Sequence, residues 1–202
     1  MARNITDFSE EGQTPLGDIS GLRVKVDTRQ KLNDLEFKNN NKAYEKYFLQ
    51  KLPKKPPTFT YEGLKQVHQD MFGEVWQWAG NPRDADLNLG VPREKIGAEI
   101  HKLLYELHQW ESQSIQPLEI AVRIHQRLAF IHPFINGNGR WARMMANLYL
   151  YQKGLRIVQW PDDPVLIKNT FRPRYLEALK NADRGDYKKL LRLHQEYWKT
   201  EA

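Results

Sequence analysis

The sequence predicts an all-α fold carrying one short β-hairpin flap, and three observations lead there. Apolar residues recur at three- and four-residue spacing along most of the chain, as in Leu118, Ala121, Ile124, Leu128 and Ile131. Capping residues and stops, such as Thr60 before one run and Gly73 after it, separate these stretches. Period-two alternation is confined to Ala85, Leu87 and Leu89, inside NPRDADLNLG with its Pro82 and Gly90, which reads as a hairpin or extended flap.

In order along the chain, residues 1 to 26 show no sustained period and read as an irregular arm. From Arg29 to about Lys51, the residues Leu32, Leu35, Ala43, Tyr47 and Phe48 predict an amphipathic helix that ends at PKKPP. Thr60 caps a second helix through Leu64, Val67 and Met71, and the two tryptophans of EVWQWAG read as core. Pro92 opens a third helix with Ile96, Ile100, Leu103, Leu107 and Trp110 on its inner face. A fourth runs to Ile131, and a fifth continues through Trp141, Met144, Met145 and Leu148 until Gly154. After the apolar run LRIVQW and the PDDP turn, Tyr175, Ala178 and Leu179 mark another helix, and Asp186 caps the last. His68, His101, His108, His125 and His194 fall on helical patterns and read as structural, since no pair of them forms a metal-binding spacing. We expect an N-terminal arm and helix over residues 1–59 and one helical domain over 60–202.

Composition narrows the chemistry. The 202 residues hold no cysteine, which excludes a disulfide framework, a zinc-thiolate site and a thiol nucleophile. The net charge of +6 arises from 31 basic and 25 acidic side chains interleaved along helices, so direct nucleic-acid binding is not expected. With no apolar run near the roughly eighteen residues of a membrane span and no apolar leader after Met1, the expectation is a cytoplasmic protein without a membrane partner.

The chemically dense stretch is IHPFINGNGRWAR, Ile131 to Arg143, between the fourth and fifth helices. Gly137 and Gly139 permit a tight loop whose amides, with Asn138, open the fifth helix and form an anion site. Arg140 and Arg143 lie three apart near that positive end, where guanidinium forks suit phosphate. His132 stands beside them and can take a proton near neutral pH.

These residues closely resemble the motif of the Fic family: HPF, any residue, an acidic residue, GN, Gly or Lys, R, two residues, R. The order LKQVHQDMF, WQWAG and a flap before the motif is similar too. The resemblance implies transfer of AMP, or another nucleoside monophosphate, from ATP with Mg²⁺ onto a Tyr, Ser or Thr hydroxyl of a target protein. It implies His132 as general base, Gly137, Asn138, Gly139, Arg140 and Arg143 as the phosphate site, and Leu87, Asn88, Leu89 and Gly90 as the segment that pairs with the target. Asn136 stands where the family has a metal-holding acid. Glu36, in LNDLEFKN, takes the glutamate position of the family's inhibitory helix, although Leu32 and Phe37 depart from that pattern; there it would pair with Arg143, the alternative being a solvated side chain. TRQKLNDLE and Asn136 resemble the subgroup called mobile mystery protein B, which implies a bacterial protein encoded beside a small helix-turn-helix partner. A nucleotide-binding regulatory or toxin-antitoxin module with little turnover, and a phosphate-recognising hydrolase, remain the alternative readings.

Overall fold

The computed structural model describes residues 21–49, 58–161 and 170–198; the first twenty residues, the PKKPP segment and the PDDP turn beyond Pro161 lie outside this range. Among the described residues there are seven α-helices and no strand. Helix α1 spans Arg29–Tyr44, α2 Tyr61–Phe72, α3 Ile96–Ser112, α4 Pro117–Ile131, α5 Asn138–Gln152, α6 Arg172–Ala182 and α7 Lys188–Trp198.

Local chemistry accounts for the helix starts. The hydroxyl of Thr28 accepts from the Lys31 amide at 3.2 Å, and that of Thr60 from the Gly63 amide at 3.1 Å, each satisfying one of the donors a helix leaves open. Pro117 occupies the first turn of α4, where its missing N–H costs nothing, and Asp186 caps α7 through the Lys188 amide at 3.1 Å. The expected first helix is α-helical only to Tyr44 and continues as a π-turn over Glu45–Leu49. In that turn Tyr47 and Lys46 both reach the Asp70 carboxylate on α2.

The central pair is α4 and α5, packed neighbours joined by the motif loop. The faces of α2, α3, α4 and α5 meet in one core containing Leu64, Ile100, Ile124, Leu128, Trp141 and Met145. Helix α1 joins this core through Leu32 and Ala43, and its inner stripe also buries Glu36 and Asn39. Asn39 is satisfied by the Asp70 carbonyl and the Glu74 amide, at 2.8 and 3.0 Å. A second cluster of Val122, Phe171, Tyr175, Ala178, Leu190 and Leu193 packs α6 and α7 against α4.

The end of the N-terminal arm lies along the tryptophan segment: the Arg23 amide donates to Val75 and the Gln77 amide to Gly21, both at 2.8 Å. Of the two tryptophans read as core, Trp76 is wholly buried and Trp78 only partly, packed against the core's edge.

The expected β-hairpin flap is not present. Residues 81 to 92 form bends, their backbone held by the Arg83 and Asp86 side chains and, through the Arg83 and Val91 amides, by the Pro133 and Ile131 carbonyls of the motif turn. Buried Arg83 donates from Nη1 to the Ala85 carbonyl at 2.8 Å and from Nη2 to the Val91 carbonyl, and Asp86 accepts from the Arg93 amide at 2.8 Å. The Ala85 and Val91 carbonyls thus converge on one guanidinium instead of facing a partner strand.

Candidate active site

Helix α4 ends at His132, which adopts a left-handed conformation at φ 52° and directs the chain into the motif loop. Two flap residues press on this turn. Arg83 donates from Nε to the His132 carbonyl at 2.9 Å and from its amide to the Pro133 carbonyl at 2.8 Å. Gly90, at φ +96°, lies so close that a Cβ there would fall 2.6 Å from the His132 Cβ. Leu87 and Leu89 are exposed beside it.

The His132 tautomer follows from its partner. Nδ1 lies 3.3 Å from the Ala129 carbonyl, which can only accept, so Nδ1 carries the proton and Nε2 keeps its lone pair. Burial pushes the imidazole below its usual pKa, the Arg83 charge adds to this, and the Ala129 hydrogen bond opposes it. His132 is therefore a neutral acceptor at pH 7.

The loop beyond it is locked from inside. Phe134 is buried between His68, stacked at 3.6 Å, and the edge of Trp141. Asn138 was expected among the phosphate ligands, but its side chain is fully committed to Phe134, accepting from the amide at 2.9 Å and donating to the carbonyl at 2.7 Å. With the side chain buried against Phe134, its backbone N–H at the start of α5 is the group placed for a ligand. Gly137, at φ +79°, sits on the Phe72 ring, where a Cβ would come within 2.5 Å. Its amide donates to Asn136 Oδ1 at 2.7 Å, so this N–H is not an open donor and the Asn136 oxygen is already engaged. The amides of Asn138, Gly139 and Arg140 open α5, where a helix leaves its first N–H groups without intrahelical partners, as a cradle in which an anion can be received.

The two arginines go to different surroundings. Arg140 lies over the Phe72 ring at 4.8 Å and donates from Nη2 to Glu36 Oε2 at 2.7 Å. Glu36 Oε1 accepts from Trp76 Nε1, also at 2.7 Å, and the carboxylate is buried. The solvated alternative for Glu36 is thus overturned, and its partner is Arg140 rather than Arg143. Arg143 instead enters a box of Trp160, Phe171 and Tyr175, 5.6 to 5.7 Å from each ring, with Nε donating to the Gly139 carbonyl at 3.3 Å.

Two further residues escaped the sequence reading as site residues. His68 accepts the Gly80 amide at Nδ1, 3.0 Å, which places its proton on Nε2 for the Asn136 carbonyl at 3.1 Å. Burial pushes its pKa down to about 3, so it stays neutral and ties the motif loop to the tryptophan segment. Arg83 is the other. The only sequence signal for either was a polar residue at an otherwise apolar or turn position.

The residues present do not make a metal site by themselves. Asn136 offers one amide oxygen already accepting from Gly137, and among the described residues no three His, Cys, Asp or Glu side chains converge.

Residues 58–150 match the Fic/DOC family. The chain carries a Fic domain. A protein adenylyltransferase Fic from Nematostella vectensis is 27% identical over 184 residues, covering 86% of this chain and 42% of the relative. The fold agrees with Fic-1 of C. elegans, residues 134–508, at a TM-score of 0.70 and 23% identity, over 87% of this chain and 51% of that one. It also agrees with the Bartonella tribocorum effector BepC bound to AMPPNP, at a TM-score of 0.65 and 21% identity, over 94% and 95% of the two chains. This chain spans less than half the length of the curated relatives it matches first. No described helix is long and apolar enough to cross a membrane.

Proposed function

We propose that this Fic domain transfers AMP from ATP to a Tyr, Ser or Thr hydroxyl of a target protein. The reading is carried by His132, whose Nδ1 proton is held on the Ala129 carbonyl so that Nε2 is left to accept, on the same loop that leads within six residues into the amides opening α5. In the step, the target oxygen forms a bond to the α-phosphorus while the bond from that phosphorus to pyrophosphate breaks. The hydroxyl proton passes to His132 Nε2, and pyrophosphate leaves. The amides of Asn138, Gly139 and Arg140 hold phosphate oxygens, and Arg143 offsets charge developing on the leaving group. This work is positioning and electrostatics.

The curated relative from Nematostella is named a protein adenylyltransferase, and BepC binds AMPPNP; both support the nucleotide reading. The target segment would run beside Leu87, Asn88, Leu89 and Gly90, since two exposed leucines there adjoin a glycine pressed on His132. Mg²⁺ would arrive with the nucleotide phosphates, with Asn136 as its protein neighbour. A bacterial setting and a co-encoded helix-turn-helix partner rest on the subgroup resemblance alone.

One observation favours a low-turnover state of the same domain. Glu36 occupies Arg140, so a phosphate must displace a buried, hydrogen-bonded carboxylate to use that guanidinium, and α1 acts as an inhibitory element. Incubation of the purified chain with ATP labelled at the α-phosphate tests both readings. Transfer of label to the chain or to added lysate proteins, lost in His132→Ala, supports the transferase. Absence of His132-dependent label, even in Glu36→Gly, leaves nucleotide binding without turnover. Release of phosphate without any labelled acceptor indicates a hydrolase.

A further inference from the structure

We propose that Tyr175, His125 and His194 form an uncharged hydrogen-bond relay that positions Arg143, with Tyr175 as the positioning residue that meets it. The direction of the relay is fixed at one end. His194 Nδ1 lies 2.9 Å from the Leu190 carbonyl, which can only accept, so Nδ1 bears the proton and Nε2 is an acceptor. His125 Nδ1–H therefore donates to His194 Nε2 at 3.2 Å, and His125 Nε2 accepts the Tyr175 hydroxyl proton at 2.8 Å. Every polar atom along this path is satisfied without an ion. Burial pushes both histidines down, His194 to about 4 and His125 well below the usual range, so the path stays neutral at pH 7.

The outer end of the relay reaches the cradle. The Arg143 guanidinium lies 5.6 Å from the Tyr175 ring, and the Tyr175 hydroxyl is 3.5 Å from where a Gly139 Cβ would be. Phe171 stacks on Tyr175 at 5.4 Å, and Trp160 meets His194 edge-on at 4.8 Å, so the whole box round Arg143 rests on the relay.

An arginine that must receive phosphate presents a design conflict. A carboxylate would hold it firmly but compete with the ligand, as Glu36 does at Arg140. Aromatic faces hold it without neutralising it, provided that the rings themselves are fixed. Among the described residues no carboxylate pairs with Arg143, and the relay supplies that fixing with no negative charge. The role of Arg143 toward phosphate rests on the function proposed above; its positioning by Tyr175 does not.

The test uses the full chain and two readouts. The first is the ¹⁵N resonance of Arg143 Nε–H without nucleotide, assigned by its loss in Arg143→Lys. Tyr175→Phe keeps the ring and removes the proton given to His125, and His194→Phe cuts the far end; both are expected to broaden or shift this resonance. His194→Gln, which retains an acceptor and a donor, is expected to restore it toward wild type. The second is affinity for ADP. Loss of one hydrogen bond in the relay should weaken it about tenfold in Tyr175→Phe, and cause no further loss in an Arg143→Ala background. A merely structural role would lower melting temperature while leaving the Arg143 resonance and this coupling unmoved. An unchanged resonance in Tyr175→Phe and His194→Phe overturns the proposal, as does an equal loss of affinity in both backgrounds. If Tyr175→Phe fails to fold, His194→Phe against His194→Gln decides. If wild type binds no ADP, the proposed function falls and the resonance alone judges the relay.

Discussion

Glu36 and Arg140, 104 residues apart in sequence, are joined by a 2.7 Å charge-assisted hydrogen bond beneath α1. The same carboxylate holds Trp76 Nε1, so it is anchored on both oxygens. Such a pair competes directly with any phosphate that needs the Arg140 fork. Replacing Glu36 should therefore raise nucleotide affinity. Hydrogen bonds to charged groups are worth about 1.5–3 kcal/mol, which corresponds to roughly a tenfold gain or more in Glu36→Gly. Glu36→Gln, which keeps an acceptor for Trp76 but no charge, should fall between, as should the shorter Glu36→Asp. Titration calorimetry with ATP, and self-modification at fixed ATP and Mg²⁺, check this. Equal values in all four proteins would leave α1 as packing alone.

His132 gives a pH prediction. Its folded pKa is lowered, first by burial and then by the Arg83 charge, and the reactive form is the neutral one. The rate of transfer should thus be flat above neutrality and fall as pH drops through a midpoint below the usual value of about 6.5. Arg83→Met removes that positive charge and should move the midpoint upward if the fold survives, which circular dichroism would establish. His132→Ala should cost about 10² to 10⁴ in rate with little change in ATP affinity. A midpoint at or above the ordinary histidine value would remove His132 as the titrating base.

The motif loop was legible because its chemistry is local: His132, the glycines and the two arginines fall within thirteen positions of one another, and the helix flanking them carries its own period. Caps such as Thr60 and Asp186 were legible for the same reason. What could not be read was pairing across the chain. Glu36 could be placed on a helix, but spacing gives no means of choosing between arginines three residues apart that point into different surroundings. His68 reaches Asn136 across 68 positions, and its tautomer depends on the Gly80 amide. The flap failed as a hairpin because alternation cannot reveal that Arg83 gathers the Ala85 and Val91 carbonyls while the Arg83 and Val91 amides turn to Pro133 and Ile131.

Gly90 offers a steric test of the flap. Its φ of +96° is costly for any L side chain, and an added Cβ would meet His132 Cβ, Arg83 Nη2 and the Ile131 carbonyl. Gly90→Ala should lower stability by about 1–3 kcal/mol and displace the His132 turn. The rate of transfer should then fall more than tenfold, while ADP affinity, which depends on α5, stays within about twofold of wild type. Loss of ADP binding in a folded Gly90→Ala protein would show that the flap and cradle are not separable.

Asn136 yields predictions of opposite sign. Its Oδ1 accepts the Gly137 amide at 2.7 Å, and its side chain bears no charge. In Asn136→Asp, one carboxylate oxygen can keep the Gly137 hydrogen bond while the second remains available to a cation. Without metal, the added negative charge beside the cradle repels phosphate, so ADP affinity should fall severalfold in the presence of a chelator. With Mg²⁺, the carboxylate is a better ligand than an amide, so the Mg²⁺ concentration giving half-maximal transfer should fall about tenfold. The crossing of these two effects separates metal recruitment from a general loosening of the loop, which would weaken binding under both conditions. A substitution that leaves Mg²⁺ dependence unchanged while weakening ADP would show that position 136 faces phosphate rather than metal. His68, which holds the Asn136 carbonyl, would then act on the cradle alone.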